Sequence, residues 1–293
     1  MKTGFIAILG RPNVGKSTLL NALLSKKVSI VSPRAQTTRD DIQGILNEKD
    51  YQMVFVDTPG IYMGQEALDK HMRSAAFSSS KDVEAVLYLI DASEDSFERD
   101  IDIIASIKPT CPLFLILNKV DLIRADRAAE VKETLHKAFS DYPIIEASLI
   151  ENFGIKEIKQ AVIPCLHEGE PFYPEDMITD KDHAYQAKEV IRQELLHFLK
   201  EEIPHQSAVK IDALEKERGA YKIEATIAVE KENHKAIVIG KGGPMIKKSS
   251  MAARHELERM WHEHITHLTI RVEAVPNWRN DPKKLIEFGY GND

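Results

Sequence analysis

The apolar run Phe5 to Leu9 breaks off at Gly10, and a helical pattern resumes at Lys16. Between them lies Gly10-Arg11-Pro12-Asn13-Val14-Gly15-Lys16-Ser17. A strand that turns this tightly into a helix points to a sheet whose carboxyl edge faces a helix N-terminus. The glycines let successive N–H groups converge on one point, and the helix dipole adds positive potential there, so the turn suits phosphate oxygens. In this pattern Lys16 reaches the β- and γ-phosphates of a nucleoside triphosphate and the Ser17 hydroxyl is placed for Mg²⁺. Gly10, Asn13, Val14, Gly15, Lys16, Ser17 and Thr18 are therefore the candidate phosphate-loop residues.

Further short apolar runs follow at Met53 to Val56, Ala85 to Ile90, Leu113 to Leu117 and Ile144 to Ile145, separated by helix-periodic segments. Such alternation predicts an α/β fold, a mostly parallel sheet flanked by helices. Polar motifs stand directly after the runs: Asp57-Thr58-Pro59-Gly60, Asn118-Lys119-Val120-Asp121 and Ala147-Ser148. Ligands of open α/β sheets bind at the carboxyl ends of strands, so motifs distant in sequence can converge on one crevice.

Each motif has a distinct task. Asp57 can orient a water on Mg²⁺, and Gly60 offers an N–H that can approach the γ-phosphate closely. The Asp121 carboxylate can accept from N1–H and the 2-amino group of guanine. Adenine has no donors there and would leave the carboxylate unpaired, so this motif selects GTP over ATP. Asn118 would tie the base loop to the phosphate loop, Lys119 would cover the base face, and the Ser148 backbone would approach guanine O6. Val28 to Asp41 lacks clean periodicity and reads as a mobile loop; in it Thr38, with Thr37 the alternative, would complete Mg²⁺ coordination and contact the γ-phosphate. Ile61 to Ser80 reads as a second segment responsive to loss of that phosphate. Lys16, Thr38, Asp57 and Gly60 are the candidate catalytic set, with Ser17, Thr38 and Asp57 serving the metal.

These motifs resemble the translation-factor-related GTPases, and Thr37-Thr38-Arg39-Asp40 resembles the loop of the branch containing Era, EngA and TrmE. Ile61 stands where Ras-like enzymes carry a water-orienting glutamine, so slow intrinsic hydrolysis is expected. In that branch the asparagine matching Asn13 is associated with a bound potassium ion, and the resemblance implies the same here. The guanine loop of these GTPases usually reads Ser-Ala; here Leu149 follows Ser148.

The second half reads as a separate module. Residues 168–182 are Pro-, Gly- and acid-rich and are read as a linker between a domain at 1–167 and one at 183–293. Thr179 with Asp182 could cap a helix carrying Ala187, Ile191, Leu195, Phe198 and Leu199, which Pro204 stops. Two strands alternate with period two: Val209, Ile211 and Ala213, then Ile223, Ala225, Ile227 and Val229. A short helix near His234 to Ile239 runs into Gly240-Lys241-Gly242-Gly243, then a longer helix led by Pro244 with Lys247 and Lys248, and a strand with Leu268, Ile270 and Val272. This order, with a Gly-x-x-Gly loop between two helices, resembles an α+β type II KH domain. Gly240 and Gly243 let a sugar-phosphate backbone approach closely, and Lys241, Lys247 and Lys248 add charge; Gly242 completes the candidate RNA-binding loop. Ile237 and Val238 would flank a groove for about four nucleotides of single-stranded RNA. Arg271, Arg279, Lys283 and Lys284 are read as further contacts to the RNA backbone.

A GTPase domain followed by a KH module resembles the Era family over nearly the whole chain. The resemblance implies a GTP/GDP switch that binds the 3′ region of 16S rRNA and acts in assembly of the 30S subunit. A formal charge of −7 requires any nucleic-acid contact to come from a local patch rather than bulk attraction. Cys111 and Cys165 are the only cysteines and are expected to be free thiols in a reducing cytoplasm, since they provide neither a disulfide framework nor a cysteine zinc site. No secretory leader is read and no stretch approaches 18 consecutive apolar residues, so a cytoplasmic monomer is expected, with peripheral association at the inner membrane surface left open. A nucleotide-stabilised RNA chaperone without turnover is the competing class. A phosphate-loop kinase conflicts with the guanine motif.

Overall fold

The first apolar run becomes β1 (Lys2–Gly10) in the computed structural model, which describes residues 1–31, 41–58, 60–61, 82–107, 109–199, 203 and 206–290. Among the described residues, those of 1–29 and 41–180 form one compact unit, and those of 181–290 belong to a second. In the first, α1 (Lys16–Leu24), β2 (Ile42–Asn47), β3 (Tyr51–Asp57), β4 (Ala85–Asp91), α2 (Glu98–Ile107), β5 (Leu113–Asn118), α3 (Ala125–Ala138), β6 (Ile144–Glu146) and α4 (Ile155–Val162) follow in turn. The strands lie in the order β2-β3-β1-β4-β5-β6. β3, β1, β4, β5 and β6 run parallel, and β2 is antiparallel to β3. A short β7 (His167–Glu168) pairs with the start of β1.

Every residue of β4 and β5 is buried. Helices cover both faces of a parallel sheet, which is why these strands read as unbroken apolar runs rather than alternating ones. The edge strand β2 is not evident from the sequence, because Gln43 and Gly44 interrupt its apolar residues. Gly44 has a packing reason: a Cβ there would lie 2.5 Å from Leu20 Cδ1 and 2.7 Å from Leu24 Cδ1 on α1.

The segment read as a linker lies along the first unit. Gln52, fully buried, donates through Nε2 to the Tyr173 carbonyl at 2.8 Å and accepts at Oε1 from the N–H groups of Phe172 (2.7 Å) and Tyr173 (3.1 Å). The Ile45 N–H donates to Ile178 O at 2.9 Å, and Gly44 forms a bridge with Thr179. The strap thus satisfies backbone groups that an open edge strand would leave exposed.

In the second unit, α5 (His183–Phe198) opens at Asp182, whose carboxylate accepts from the Tyr185 N–H at 2.8 Å. β8 (Ser207–Glu217) and β9 (Ala220–Val229) form a hairpin, and β10 (His264–Ala274) pairs parallel to β9. Arg218 (φ 49°) and Gly219 (φ 81°) occupy the two-residue turn, as the right-handed twist of a hairpin favours. The alternation expected of β8 fails after Ile211. A bulge at Asp212 shifts the register, so Leu214 rather than Ala213 packs on the core. α6 (Glu232–Ile239) and α7 (Pro244–Trp261) complete the module. A C-terminal piece, read in the sequence only for its basic residues, adds α8 (Pro282–Glu287) and places Trp278, fully buried, against Phe288 and Tyr290.

Candidate functional site

The phosphate loop joins β1 to α1 with the backbone the glycines predict. Gly10 (φ 145°) and Gly15 (φ 108°) hold conformations that side chains disfavour, and no side chain caps α1. Its first N–H groups therefore remain available to an anion. Asn13 sits exposed at the turn with φ 64°, while Val14 is buried. Lys16, 6% exposed, reaches back into the loop, donating to the carbonyls of Gly10 at 3.1 Å and Arg11 at 3.0 Å. Burial lowers its pKa to about 8, against the opposing pull of Asp57. Thr18 is half-buried on the first turn of α1.

Asp57 ends β3, fully buried, and accepts at Oδ2 from Ser17 Oγ (2.7 Å) and Ser29 Oγ (3.0 Å). Burial raises its pKa to about 6, with Lys16 and the two serines opposing. Its other oxygen, Oδ1, is buried without a hydrogen-bond partner. A carboxylate held this way beside a serine hydroxyl fits a hydrated divalent cation, which would occupy the orphaned oxygen. Gly60 meets the loop so closely that a Cβ would lie 2.9 Å from Pro12 Cα. The next residue, Ile61, is buried and donates its N–H to Gly10 O at 3.2 Å. An apolar side chain there offers a water molecule nothing to bind. Thr37, Thr38 and most of both segments read as mobile lie outside the described residues.

The base motifs converge on the same edge. Asn118, at the end of β5, donates to Val14 O at 2.8 Å and accepts the Leu149 N–H at 3.3 Å, so one amide joins the phosphate loop to the 148–149 loop. Its closeness also explains Gly15, where a Cβ would lie 2.5 Å from Asn118 Nδ2. Lys119 adopts φ 66° and pairs with Asp91. Asp121 is exposed in the 3₁₀ turn Val120–Leu122. Ser148 is engaged within its own loop, its N–H donating to Phe153 O at 3.2 Å. Leu149 is buried, and its Cδ1 lies 3.4 Å from where a Gly15 Cβ would stand. The residue that departs from the usual pattern thus supports the phosphate loop from below.

In the second unit, Gly240 (φ 75°), Gly242 (φ 81°) and Gly243 (φ 85°) shape the loop between α6 and α7. A Cβ on Gly240 would lie 2.9 Å from Met245 Cβ, whereas nothing stands within 4 Å of one on Gly242 or Gly243, so that side is open. Lys241, Lys247 and Lys248 are exposed around it, and Ile237 is 49% exposed beside them. Val238 corrects the sequence reading. It is fully buried in the core with Val229, Ala253 and Leu257, because adjacent residues on a helix point about 100° apart and cannot both flank one groove. Arg271 and Lys284, read as RNA contacts, lie beside carboxylates, Glu224 at 3.5 Å and Glu287 at 2.7 Å.

A phosphate-binding loop, a carboxylate fitted to a hydrated cation and an Asn-Lys-x-Asp base motif on one parallel sheet define a phosphate-loop GTPase, here joined to a KH module. Residues 5–119 match a family described as a 50S ribosome-binding GTPase, and residues 202–279 match the KH domain. The chain is 42% identical over 293 residues to GTPase Era of Clostridium botulinum (strain Hall) and 41% identical over 292 residues to that of Clostridium kluyveri, covering 99% of each pair. Two solved structures superpose with TM-scores of 0.96 at 37% identity over the full length of both chains: a tyrosine-to-alanine variant of Aquifex aeolicus Era bound to GDP·AlF4⁻, and Era in complex with MgGDPNP and nucleotides 1506–1542 of 16S ribosomal RNA. The chain belongs to the Era family of GTPases.

Proposed function

We propose that this GTPase is a switch that holds the 3′ region of 16S rRNA through its KH module and acts in assembly of the 30S subunit in the cytoplasm. The observation that carries the reading is the pairing, in one chain, of the guanine-selective site with an open Gly-x-x-Gly loop ringed by lysines. A relative of the same architecture carries MgGDPNP and a 16S rRNA fragment together.

In this reading the loop N–H groups and Lys16 bind the β- and γ-phosphates, Ser17 and Asp57 hold Mg²⁺ with Thr38, and the Gly60 N–H senses the γ-phosphate. Mg²⁺ held by these residues would supply positive charge against the phosphate oxygens. Asn118 and Leu149 fix the base loop against Val14 and Gly15, Lys119 covers the base, Asp121 reads its Watson–Crick edge, and the Ser148 loop lies toward O6. With Ile61 in place of a glutamine, intrinsic turnover is slow, and potassium held at Asn13 would supply positive charge where other GTPases use an arginine. RNA stacks and pairs along Ile237 and the 240–243 loop, its phosphates meeting Lys241, Lys247 and Lys248.

Phosphate release, measured with and without a 16S fragment spanning 1506–1542 and in potassium against sodium buffer, tests this. Slow release that RNA or potassium accelerates is expected. No release under any of these conditions would leave the nucleotide-stabilised RNA chaperone, the alternative that Ile61 keeps open and that Lys16, Ser17 and Asp57 count against.

A further inference from the structure

Arg11 lies inside the phosphate loop, yet its side chain turns away from the phosphate-facing side and enters the unit beside β4 and α2. Its Nη1 donates to Asp100 Oδ2 at 3.0 Å, and Nη2 lies 3.7 Å from Glu94. The other Asp100 oxygen accepts from the Tyr88 hydroxyl at 3.0 Å. Asp100 is 1% exposed and Tyr88 fully buried, so this carboxylate is held away from water by one guanidinium and one phenol. Burial also raises the Tyr88 pKa, which keeps the hydroxyl a donor. The backbone of Arg11 does a second job, its carbonyl accepting from Lys16 Nζ at 3.0 Å.

The two contacts form one chain of support, from the floor of β4 through Asp100 and Arg11 to the ammonium of Lys16. A buried carboxylate without its cation is costly, so the arrangement resists displacement of Arg11 more strongly than a surface ion pair would. We infer that Asp100 is a positioning residue for the nucleotide site: through Arg11 it fixes the phosphate loop in its binding shape and so sets nucleotide affinity and residence time. This rests on the reading of Gly10–Ser17 as the phosphate site.

The test uses the full-length protein with a fluorescent GDP and a fluorescent GTP analogue, reading equilibrium affinity and stopped-flow dissociation beside the thermal midpoint. Arg11→Ala and Asp100→Asn should each weaken binding about tenfold through faster dissociation, the scale expected for a lost charge-assisted contact. The double variant should lose no more than the larger single effect, because both act through one link. Arg11→Lys should recover part of the loss, and Tyr88→Phe, which removes one hydroxyl and cannot unfold the unit by loss of volume, should give a smaller loss of the same kind. RNA affinity of the nucleotide-free protein should stay within twofold throughout. Lowered thermal midpoints with unchanged nucleotide affinity and dissociation would overturn the inference, as would additive losses in the double variant. Lys16→Ala serves as the separate control: if it binds nucleotide normally, the reading of the phosphate site itself fails.

Discussion

Lys16 carries the sharpest chemical commitment of any single residue. Its ammonium is the form that meets phosphate oxygens, and burial lowers its pKa to about 8. Phosphates beside it favour the charged form, so its pKa rises on binding and nucleotide uptake draws a proton above about pH 8. Affinity should hold below that pH and fall as pH rises through it, approaching tenfold per unit. Calorimetry in two buffers of different ionisation enthalpy at pH 8.5 should show proton uptake in the same direction. Asp121 makes the corresponding commitment for the base. Asp121→Asn replaces one of its two acceptors with a donor, so GTP affinity should fall at least about a hundredfold, while xanthosine triphosphate, with a carbonyl in place of the 2-amino group, should bind better than GTP in a competition assay. Both residues were legible because their motifs are local. Asp100 was not, since its partner lies 89 residues away. The signal was present all the same: Asp100 shares a helical stripe with Phe97 and Ile104, both buried, and a carboxylate on an apolar stripe asks for a buried partner.

Among the elements, the parallel strands were readable and the antiparallel edge strand β2 was not. β1, β3, β4 and β5 announced themselves as apolar runs because helices cover both faces of their sheet, and the partly buried edge strand β6 showed only its Ile144-Ile145 pair. β2 hid behind Gln43 and Gly44, whose small size serves contact with α1 rather than strand propensity. The β8 alternation misled after Asp212, because a bulge inserts one residue and period two cannot reveal it. The 172–180 strap escaped notice because its hold on β2 and β3 is made largely of backbone groups and three side-chain amides, Gln43, Asn47 and Gln52, rather than of apolar periodicity. That hold is measurable. Gln52→Ala leaves the N–H groups of Phe172 and Tyr173 without their acceptor and should cost about 3 kcal/mol in denaturant unfolding, with nucleotide affinity within twofold of the parent. A loss under about 0.5 kcal/mol would show that the strap contributes little.

At the scale of the whole molecule, two ligand sites in one chain gain purpose only if each biases the other. The sequence supplied both sites and the family resemblance, since a phosphate loop, an Asn-Lys-x-Asp motif and a Gly-x-x-Gly loop are each contiguous. We propose that the two sites are coupled through the 28–41 and 61–80 segments, which the sequence reading assigns to sensing the γ-phosphate. Linkage makes the claim strict: if GTP strengthens the hold on RNA, RNA must strengthen the hold on GTP by the same factor. Gly243→Asp, which puts a carboxylate where a Cβ meets nothing within 4 Å, should weaken RNA binding at least tenfold by repelling phosphates while leaving GTP affinity intact. The most direct measurement is fluorescence anisotropy of a labelled 1506–1542 fragment with the full-length protein at one fixed salt concentration, saturated with GDP or with GDPNP. RNA affinity should be at least about fivefold tighter with GDPNP; equal affinities in the two nucleotide states would contradict the coupling.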